Sequence, residues 1–169
     1  MPDVPDLAIR VAEANDTATI LGFIRDLAEY EKLLHEVIAD EQALRTTLFG
    51  VRPAAEVLIA ELGGHPVGFA LFFQSYSTFL AKPGLYLEDL FVRPAARGKG
   101  VGAALMSALA RIAVQRHYGR FEWSVLDWNE PALKFYRSLG AKPQSEWTVQ
   151  RLTGDELHAL AERWPTAVG

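Results

Sequence analysis

The chain contains no cysteine in its 169 residues. This absence excludes a disulfide framework, a thiolate nucleophile and a metal site with cysteine ligands, and it suits a cytoplasmic protein. Long hydrophobic runs are also missing, since the stretch VGFALFF at 67–73 is far too short to span a membrane. The opening residues, MPDVPDLAIR, carry two aspartates before any apolar run, so no secretory signal and no membrane partner are expected.

Positive charge is in short supply as well: 17 lysines and arginines face 21 acidic residues, and the net charge is −4. That balance argues against nucleic acid as the main partner and suits a small cationic one. The 4 histidines are scattered without metal-ligand spacing, so no metal site is predicted. The length and the ordinary apolar content are typical of one domain covering residues 1–169.

The apolar spacing predicts a mixed α/β chain, with one layer of sheet and helices packed on it. No repeat, low-complexity stretch or linker interrupts this pattern. Strands are predicted at 7–12, 56–62, 66–73, 85–92, 120–128 and 147–152. Helices are predicted after Asn15 or Asp16, at 40–49, at 100–118, at 130–140 and at 154–164.

Between the strand at 85–92 and the long helix lies a loop rich in glycine, RGKGVG at 97–102. Glycines let successive backbone N–H groups point into one concavity, and a helix start adds unsatisfied donors, an arrangement that suits a pyrophosphate. A P-loop is excluded because Lys99 is followed by glycine rather than serine or threonine. A dinucleotide fingerprint matches only in form, because residues 93–97 separate the strand from the glycines. A plain helix N-terminus with a tight turn is the other interpretation.

The loop follows YLEDLFV, and the segment WNEPALKFYRSLGA comes later in the chain. Together these segments resemble the acetyl-CoA signature of the GNAT superfamily of N-acetyltransferases. With LAEYEK near the N-terminus, the chain is most similar to the diamine (spermidine/spermine) N-acetyltransferase family, over most of its length. The resemblance implies a single-domain α/β fold whose mixed, mostly antiparallel central sheet carries helices on both faces. It also implies a strand pair that splays apart at the acetyl-CoA site, and a homodimer.

The resemblance assigns acetyl-CoA as the cosubstrate, without a metal. It implies that the acetyl group contacts the strand, that the pyrophosphate lies on the loop amides, and that pantetheine passes the helix at 130–140. The implied cofactor-binding residues are Leu90, Phe91, Val92, Arg97, Gly98, Lys99, Gly100, Val101, Gly102, Asn129, Phe135 and Tyr136. Asn129 has a second interpretation, as the cap of the helix that begins at Glu130.

Direct acetyl transfer to an amine needs two proton transfers, because the ammonium must lose a proton and the departing thiolate must gain one. Tyr136 matches the family's general acid, since a phenol with a pKa of about 10 can protonate a thiolate of comparable basicity. Glu88 matches the position that takes the amine proton, with burial or a water chain to assist it. Its neighbour Asp89 is expected on the other face of the strand. The plain alternatives are a packed aromatic and a polar interruption of the strand.

The substrate side of the resemblance is a groove of carboxylates and aromatic rings that receives a small cationic amine. The candidates are Tyr30, Glu31, Glu36, Glu88, Asp89 and Trp147, with Asp127 and Trp128 as further ones. After Tyr30 and Glu31 the chain reads KLLH, where the polyamine enzymes have a more acidic stretch. Polyamines, diamines and lysine- or thialysine-like amines all stay open as acceptors. Acetylation of a peptide lysine or N-terminus, and a noncatalytic acyl-CoA-binding regulatory module, are the alternative functions.

Overall fold

The structure is a computed structural model that describes residue 4 and residues 6–163. Within these residues, five strands form one sheet in chain order. Neighbouring strands from the first to the fourth run antiparallel, and the fifth joins the fourth in parallel. The strands are β1 (Leu7–Val11), β2 (Glu56–Leu62), β3 (His65–Ser77), β4 (Lys82–Val92) and β5 (Phe121–Trp123).

The chain divides into two compact units, the first ending at Ser124 and the second beginning at Val125. The α-helices described are α1 (Thr17–Tyr30), α2 (Glu41–Phe49) and α3 (Val101–Gln115) in the first unit, and α4 (Glu130–Ser138) and α5 (Gly154–Glu162) in the second. Helix α2 begins where a side chain can cap it, because the Asp40 carboxylate accepts the N–H of Ala43 at 2.7 Å.

One face of the sheet is covered by α1 and α2. Phe23 of α1 is completely buried, and its ring stacks on that of Phe69 in β3 with the centroids 5.3 Å apart. Phe91 of β4 is the register partner of Phe69, and its ring centroid lies 6.5 Å from that of Phe23. Buried aromatic rings dominate the energetics of a core. This cluster therefore holds the end of β4 in place, just before the glycine loop begins.

The opposite face of the sheet is covered by α3. Strand side chains alternate, so the buried residues Leu58 and Ala60 of β2 point away from the α1 side. Helix α3 contacts β1, β2, β3 and β4, and it buries Val101, Leu105 and Leu109. The predicted fold class, a mixed and mostly antiparallel sheet with helices on both faces, is confirmed.

Strand β4 contains a bulge at Glu88. Leu71 of β3 pairs with Asp89, but the next residue of β3, Phe72, pairs with Leu87, so Glu88 is the extra residue of the β3–β4 ladder. A bulge interrupts the regular alternation of side chains and re-aims them. Asp89 therefore lies on the α1 side with Leu71, which packs on the α1 core, while Leu87 lies on the other side with Phe72. The expected alternation of Glu88 and Asp89 assumes a regular strand, which β4 is not at this point.

The pairing of β4 with β5 stops one residue before the bulge. Its last pair joins Leu87 to Trp123, whereas β4 continues to Val92. The backbone groups of residues 88–92 that face away from β3 are therefore not used by β5. The parallel strands β4 and β5 therefore stop pairing here, as the predicted splayed strand pair requires.

Two predicted strands differ from the structure. The strand predicted at 147–152 is wrong, because these residues form no strand in the described part of the chain. A strand needs a neighbour for its backbone hydrogen bonds, and Trp147 and Val149 are 81% and 78% exposed rather than packed on a sheet face. The strand predicted at 120–128 is confined to β5. The last helix was predicted to end at Trp164, which lies outside the described residues.

Candidate active site

The glycine loop has the backbone geometry of an anion cradle. Gly98 and Gly100 have φ angles of 74° and 80°, a left-handed conformation that glycine adopts without steric cost. A short 3₁₀ turn, Pro94–Ala96, leads from β4 into the loop. Gly100 is the N-cap of α3, and no side chain of the described residues caps this helix. The first-turn amides of α3 and the positive end of its dipole are therefore disposed to bind an anion.

Arg97 is the first residue of the loop, but its side chain contacts strand β4 and helix α1. Its Nε donates to the carbonyl oxygen of Val92 at 2.9 Å, and its backbone N–H donates to that of Pro94 at 3.2 Å. The guanidinium carbon lies 5.1 Å from the ring centroid of Tyr30 and 5.4 Å from that of Phe91. The sequence predicted Arg97 as a cofactor ligand, and no spacing signal pointed to its contact with Tyr30. The amides left for a phosphate are those that follow it in the loop.

The dinucleotide-binding interpretation of this loop is excluded by the sheet. Strands β4 and β5 are parallel with α3 between them, a unit that dinucleotide folds also use. The other strand pairs are antiparallel, and the 3₁₀ turn separates β4 from the glycines. The loop therefore belongs to a different kind of nucleotide site.

Three carboxylates come together near the end of β4. Glu88 is exposed, while Asp89 and Glu31 are half-buried. The pKa of Asp89 is raised to about 6, first by burial and then by the negative charges of Glu88 and Glu31. Burial also raises the pKa of Glu31. A half-buried carboxyl with a pKa of about 6 is suited to exchange a proton with a bound amine, and the negative charges around it favour a cation.

Tyr30 and Glu31 lie in this region because they form the C-terminal end of α1: Tyr30 is its last residue, and Glu31 is its C-cap. The N–H of Glu31 donates to Leu27 at 2.9 Å, and the N–H of Leu33 donates to Ala28 at 2.7 Å, so the chain is well held there. Glu36 lies further along, on the short turn Leu34–Glu36, where it is exposed. The structure thus groups Glu31 with Asp89 and Glu88, and it places Glu36 on a separate turn.

The second unit carries the remaining predicted site residues. The Asn129 side chain accepts the N–H of Ala132 at 3.3 Å and so caps α4, as its second interpretation predicted. Phe135 and Tyr136 follow on α4, with their ring centroids 5.4 Å apart and their planes inclined by 47°. Trp147 lies in the extended segment beyond this helix and is exposed. Their roles toward a cofactor or an amine stay predictions.

Other kinds of site find little support in the described part of the chain. Within residue 4 and residues 6–163, no group of three or more histidines and carboxylates is arranged to hold a metal ion. Among the same residues, none of the helices combines the length and the apolar character needed to cross a bilayer.

Comparison with known proteins agrees with this geometry. A model of the acetyltransferase (GNAT) family matches residues 23–141. The chain is 35% identical to an L-ornithine N5-acetyltransferase of Arabidopsis thaliana, with 90% of this chain and 86% of that protein covered. It is 38% identical to a thialysine N-epsilon-acetyltransferase of Sus scrofa, with 90% and 96% covered. An integron cassette protein of V. cholerae has a similar structure, with a TM-score of 0.78, 29% identity and 93% and 98% covered.

The chain therefore belongs to the acetyltransferase (GNAT) family, as its motifs predicted. It is an acetyl-CoA-dependent N-acetyltransferase. The predicted likeness to diamine acetyltransferases is confirmed too, since a spermidine/spermine N(1)-acetyltransferase-like protein of Homo sapiens is 34% identical, with 90% of this chain and 23% of that protein covered. The glycine cradle and the uncapped start of α3 fit the pyrophosphate of acetyl-CoA.

Proposed function

We propose that this enzyme transfers the acetyl group of acetyl-CoA directly to the primary amine of a small cationic acceptor. The observation that carries the proposal is a cluster of three carboxylates, those of Glu31, Glu88 and Asp89. Glu31 follows the last residue of α1, and the other two lie near the end of β4, the strand that leads to the glycine loop. Negative charge beside a buried carboxyl favours an ammonium group over a neutral or anionic acceptor. Within this class, the names of the ornithine and thialysine enzymes favour a diamino acid over a long polyamine.

Acetyl-CoA, when bound, supplies the reactive thioester. We propose that the amides of residues 98–102 hold its pyrophosphate, and that the backbone edge of Leu90, Phe91 and Val92 holds the acetyl group and the pantetheine arm. On this edge the Val92 carbonyl already accepts the Arg97 Nε–H. This edge is the part of β4 beyond its last pair with β5. Asn129 and Phe135 on α4 complete the cofactor contacts in this proposal.

The chemistry needs a base for the ammonium and an acid for the thiolate. We propose that Glu88 and Asp89 together receive the amine proton, with Asp89 as the member whose pKa, about 6, suits an acceptor at neutral pH. Tyr136 donates a proton to the departing thiolate of CoA. Glu31 and Tyr30 orient the cationic substrate, and Glu36 and Trp147 are further substrate-binding residues in this proposal. The chain has no cysteine, so no acyl-thioenzyme forms, and we propose that transfer to the amine is direct.

We propose that both compact units act as one catalytic domain and that the enzyme is a homodimer in the cytoplasm. The family match runs from residue 23 to residue 141 and crosses the boundary after Ser124. The exposed apolar side chains of Trp147, Val149 and Leu152 support a partner surface. Light scattering should give a mass of twice 18.7 kDa, and a monomeric mass would contradict the dimer. Subcellular fractionation checks the location.

A panel of amines tests the proposed reaction. Release of CoA from acetyl-CoA is followed with a thiol reagent, to which a chain without cysteine adds no background. The panel contains ornithine, lysine, thialysine, short diamines, spermidine, spermine and a lysine peptide. We expect saturable release with the diamino acids or diamines.

Two results would contradict the proposal. A lysine peptide that reacts far faster than every free amine would make the chain a peptide acetyltransferase. Tight binding of acetyl-CoA, measured by calorimetry, without turnover of any acceptor would make it a noncatalytic acyl-CoA-binding module.

A further inference from the structure

The side chain of Arg97 joins two parts of the molecule that the proposed reaction uses separately. Its position in the chain is the start of the glycine loop, directly before Gly98. Its guanidinium lies over the ring of Tyr30, at the last residue of α1, with 5.1 Å between the guanidinium carbon and the ring centroid. Glu31, one of the three clustered carboxylates, is the next residue. A displacement of Arg97 is therefore transmitted to the helix end that carries Tyr30 and Glu31.

The guanidinium is fixed from several sides. Nε donates to the Val92 carbonyl at 2.9 Å, and the ring of Phe91 lies 5.4 Å from the guanidinium carbon. Phe91 itself is buried against Phe23. A planar guanidinium stacks on aromatic faces and donates in its own plane at the same time, which an ammonium group does not. The exposed side chain of Arg97 thus contacts both β4 and α1 from its place in the loop.

We infer that Arg97 is a positioning residue that couples the binding of CoA on the glycine loop to the ordering of Tyr30 and Glu31 at the end of α1. The inference rests on the proposed cofactor role of the loop. A pyrophosphate held by the amides after Arg97 fixes the backbone from which the Arg97 side chain extends. The fixed guanidinium then holds the Tyr30 ring. By linkage, a ligand that orders Tyr30 and Glu31 also favours CoA binding.

Arg93 provides a matched control at the other end of the 3₁₀ turn. Its guanidinium carbon lies 4.7 Å from the ring centroid of Phe23, and its Nη1 donates to the Pro66 carbonyl at 3.3 Å. Arg93 therefore makes the same kind of ring contact as Arg97, but with the core of α1 instead of its end. Loss of Arg93 removes a comparable ring contact, and also an ion pair with Asp26 of α1 at 3.7 Å, without cutting the link from the loop to Tyr30.

Hydrogen exchange with CoA itself as the probe tests the coupling without any amine substrate. The reporters are the amides of Glu31, Lys32 and Leu33, whose hydrogen bonds to residues 27–29 close the end of α1. In the wild type, saturating CoA should slow their exchange by about fivefold or more, the lower end of ordinary coupling between sites. Arg97→Gln should abolish this CoA-dependent protection, although CoA still binds by calorimetry. Arg93→Gln should keep it.

Arg97→Lys separates positioning from charge. If the side chain served only as a positive charge for the phosphate, lysine would restore both CoA affinity and the protection of α1. We expect that it does not restore the protection, because an ammonium cannot hold the Val92 carbonyl and both rings together. With thialysine as the acceptor, Arg97→Gln should also raise the KM for the amine more than it lowers kcat, unlike Arg93→Gln.

Each possible outcome of these experiments supports or contradicts a specific part of the proposed coupling. Protection that persists in Arg97→Gln, returns fully in Arg97→Lys, or is equally lost in Arg93→Gln would overturn the coupling. The same holds if CoA binds the wild type and leaves the end of α1 unprotected. Failure of CoA to bind the wild type at all would instead refute the proposed cofactor role of the loop. Should Arg97→Gln not fold, Arg97→Lys and Tyr30→Leu carry the same comparison.

Discussion

Replacing Tyr136 by phenylalanine is expected to lower kcat by about 10²- to 10⁴-fold, the usual contribution of a positioned general acid. The substitution removes the phenol proton while keeping the ring beside Phe135, 5.4 Å away between centroids, so the packing of α4 is preserved. Without an acid, the CoA thiolate has to leave unprotonated, which is slower, so the tetrahedral intermediate returns to reactants more often. Initial rates of CoA release, measured with the best acceptor of the panel, check the loss.

A matched control distinguishes chemistry from folding in this experiment. Tyr118→Phe also deletes one phenol oxygen, but at a half-buried tyrosine of the first unit that donates to Gln74 at 3.0 Å. We expect Tyr118→Phe to keep its activity and Tyr136→Phe to keep its affinity for acetyl-CoA, measured by calorimetry. Tyr136→Phe should also change the profile of turnover against pH, because phenylalanine has no phenol proton to donate. If turnover and pH profile are both unchanged in Tyr136→Phe, the acid is another group.

Replacing Asp89 by asparagine is expected to remove the acidic limb of the profile of kcat/KM against pH, together with about 10²- to 10⁴-fold of the rate near neutrality. In the wild type, the limb should have its inflection near the Asp89 pKa of about 6. The sign follows from the role of the group: Asp89 must be ionised to accept a proton, so activity rises as pH rises through its pKa. Asparagine stays neutral at every pH and removes this dependence.

Glu88→Gln and Glu31→Gln are the companions of that experiment. Each removes a negative charge that raises the pKa of Asp89, and neither removes the burial that is the largest cause of the shift. The acidic limb should therefore persist in both variants and move to lower pH, because ionisation of Asp89 becomes easier. A limb that disappears in Glu88→Gln and persists in Asp89→Asn would assign the proton acceptor to Glu88 alone. The four profiles together identify the base.

The raised pKa of Asp89 should also make the free energy of unfolding depend on pH. Its folded-state pKa lies above the usual value for aspartate of about 3.9, so the folded protein binds this proton more tightly than the unfolded chain does. Ionisation of Asp89 therefore lowers the free energy of unfolding as pH rises through the interval between these two values. A half-buried carboxylate that lowers stability and lies near two more carboxylates is typical of a functional site rather than of a packed core.

Much of the fold and of the cofactor loop followed from local sequence patterns. The left-handed turns at Gly98 and Gly100 were foreseeable, because glycine is the residue that adopts positive φ without steric cost. The cap at Asn129 followed from the side-chain chemistry of a helix start. The apolar spacing located α1, α2 and α3, because that spacing repeats along a single helix. Each of these features depends on residues close together in the chain.

The features that the sequence did not predict correctly depend on residues that are distant in the chain. Residues 147–152 alternate like a strand, but a strand exists only where a neighbour accepts its hydrogen bonds, and that condition is not written in the segment itself. The bulge at Glu88 depends on how β3 and β4 register against each other, with Leu87 on one face of the sheet and Asp89 on the other. No pattern within YLEDLFV distinguishes a bulged strand from a regular one.

The sequence by itself determined the glycine loop, the order of the main helices and strands, and the membership in an acetyltransferase family, because short motifs and repeating apolar spacings carry that information. Tertiary structure alone decided that Asp89 is half-buried near Glu31, that its pKa is raised to about 6, and that Arg97 lies against Tyr30. Burial, charge proximity and ring contacts join residues that are distant in the chain. Their magnitudes depend on distances that exist only after β4, the loop and α1 have packed together.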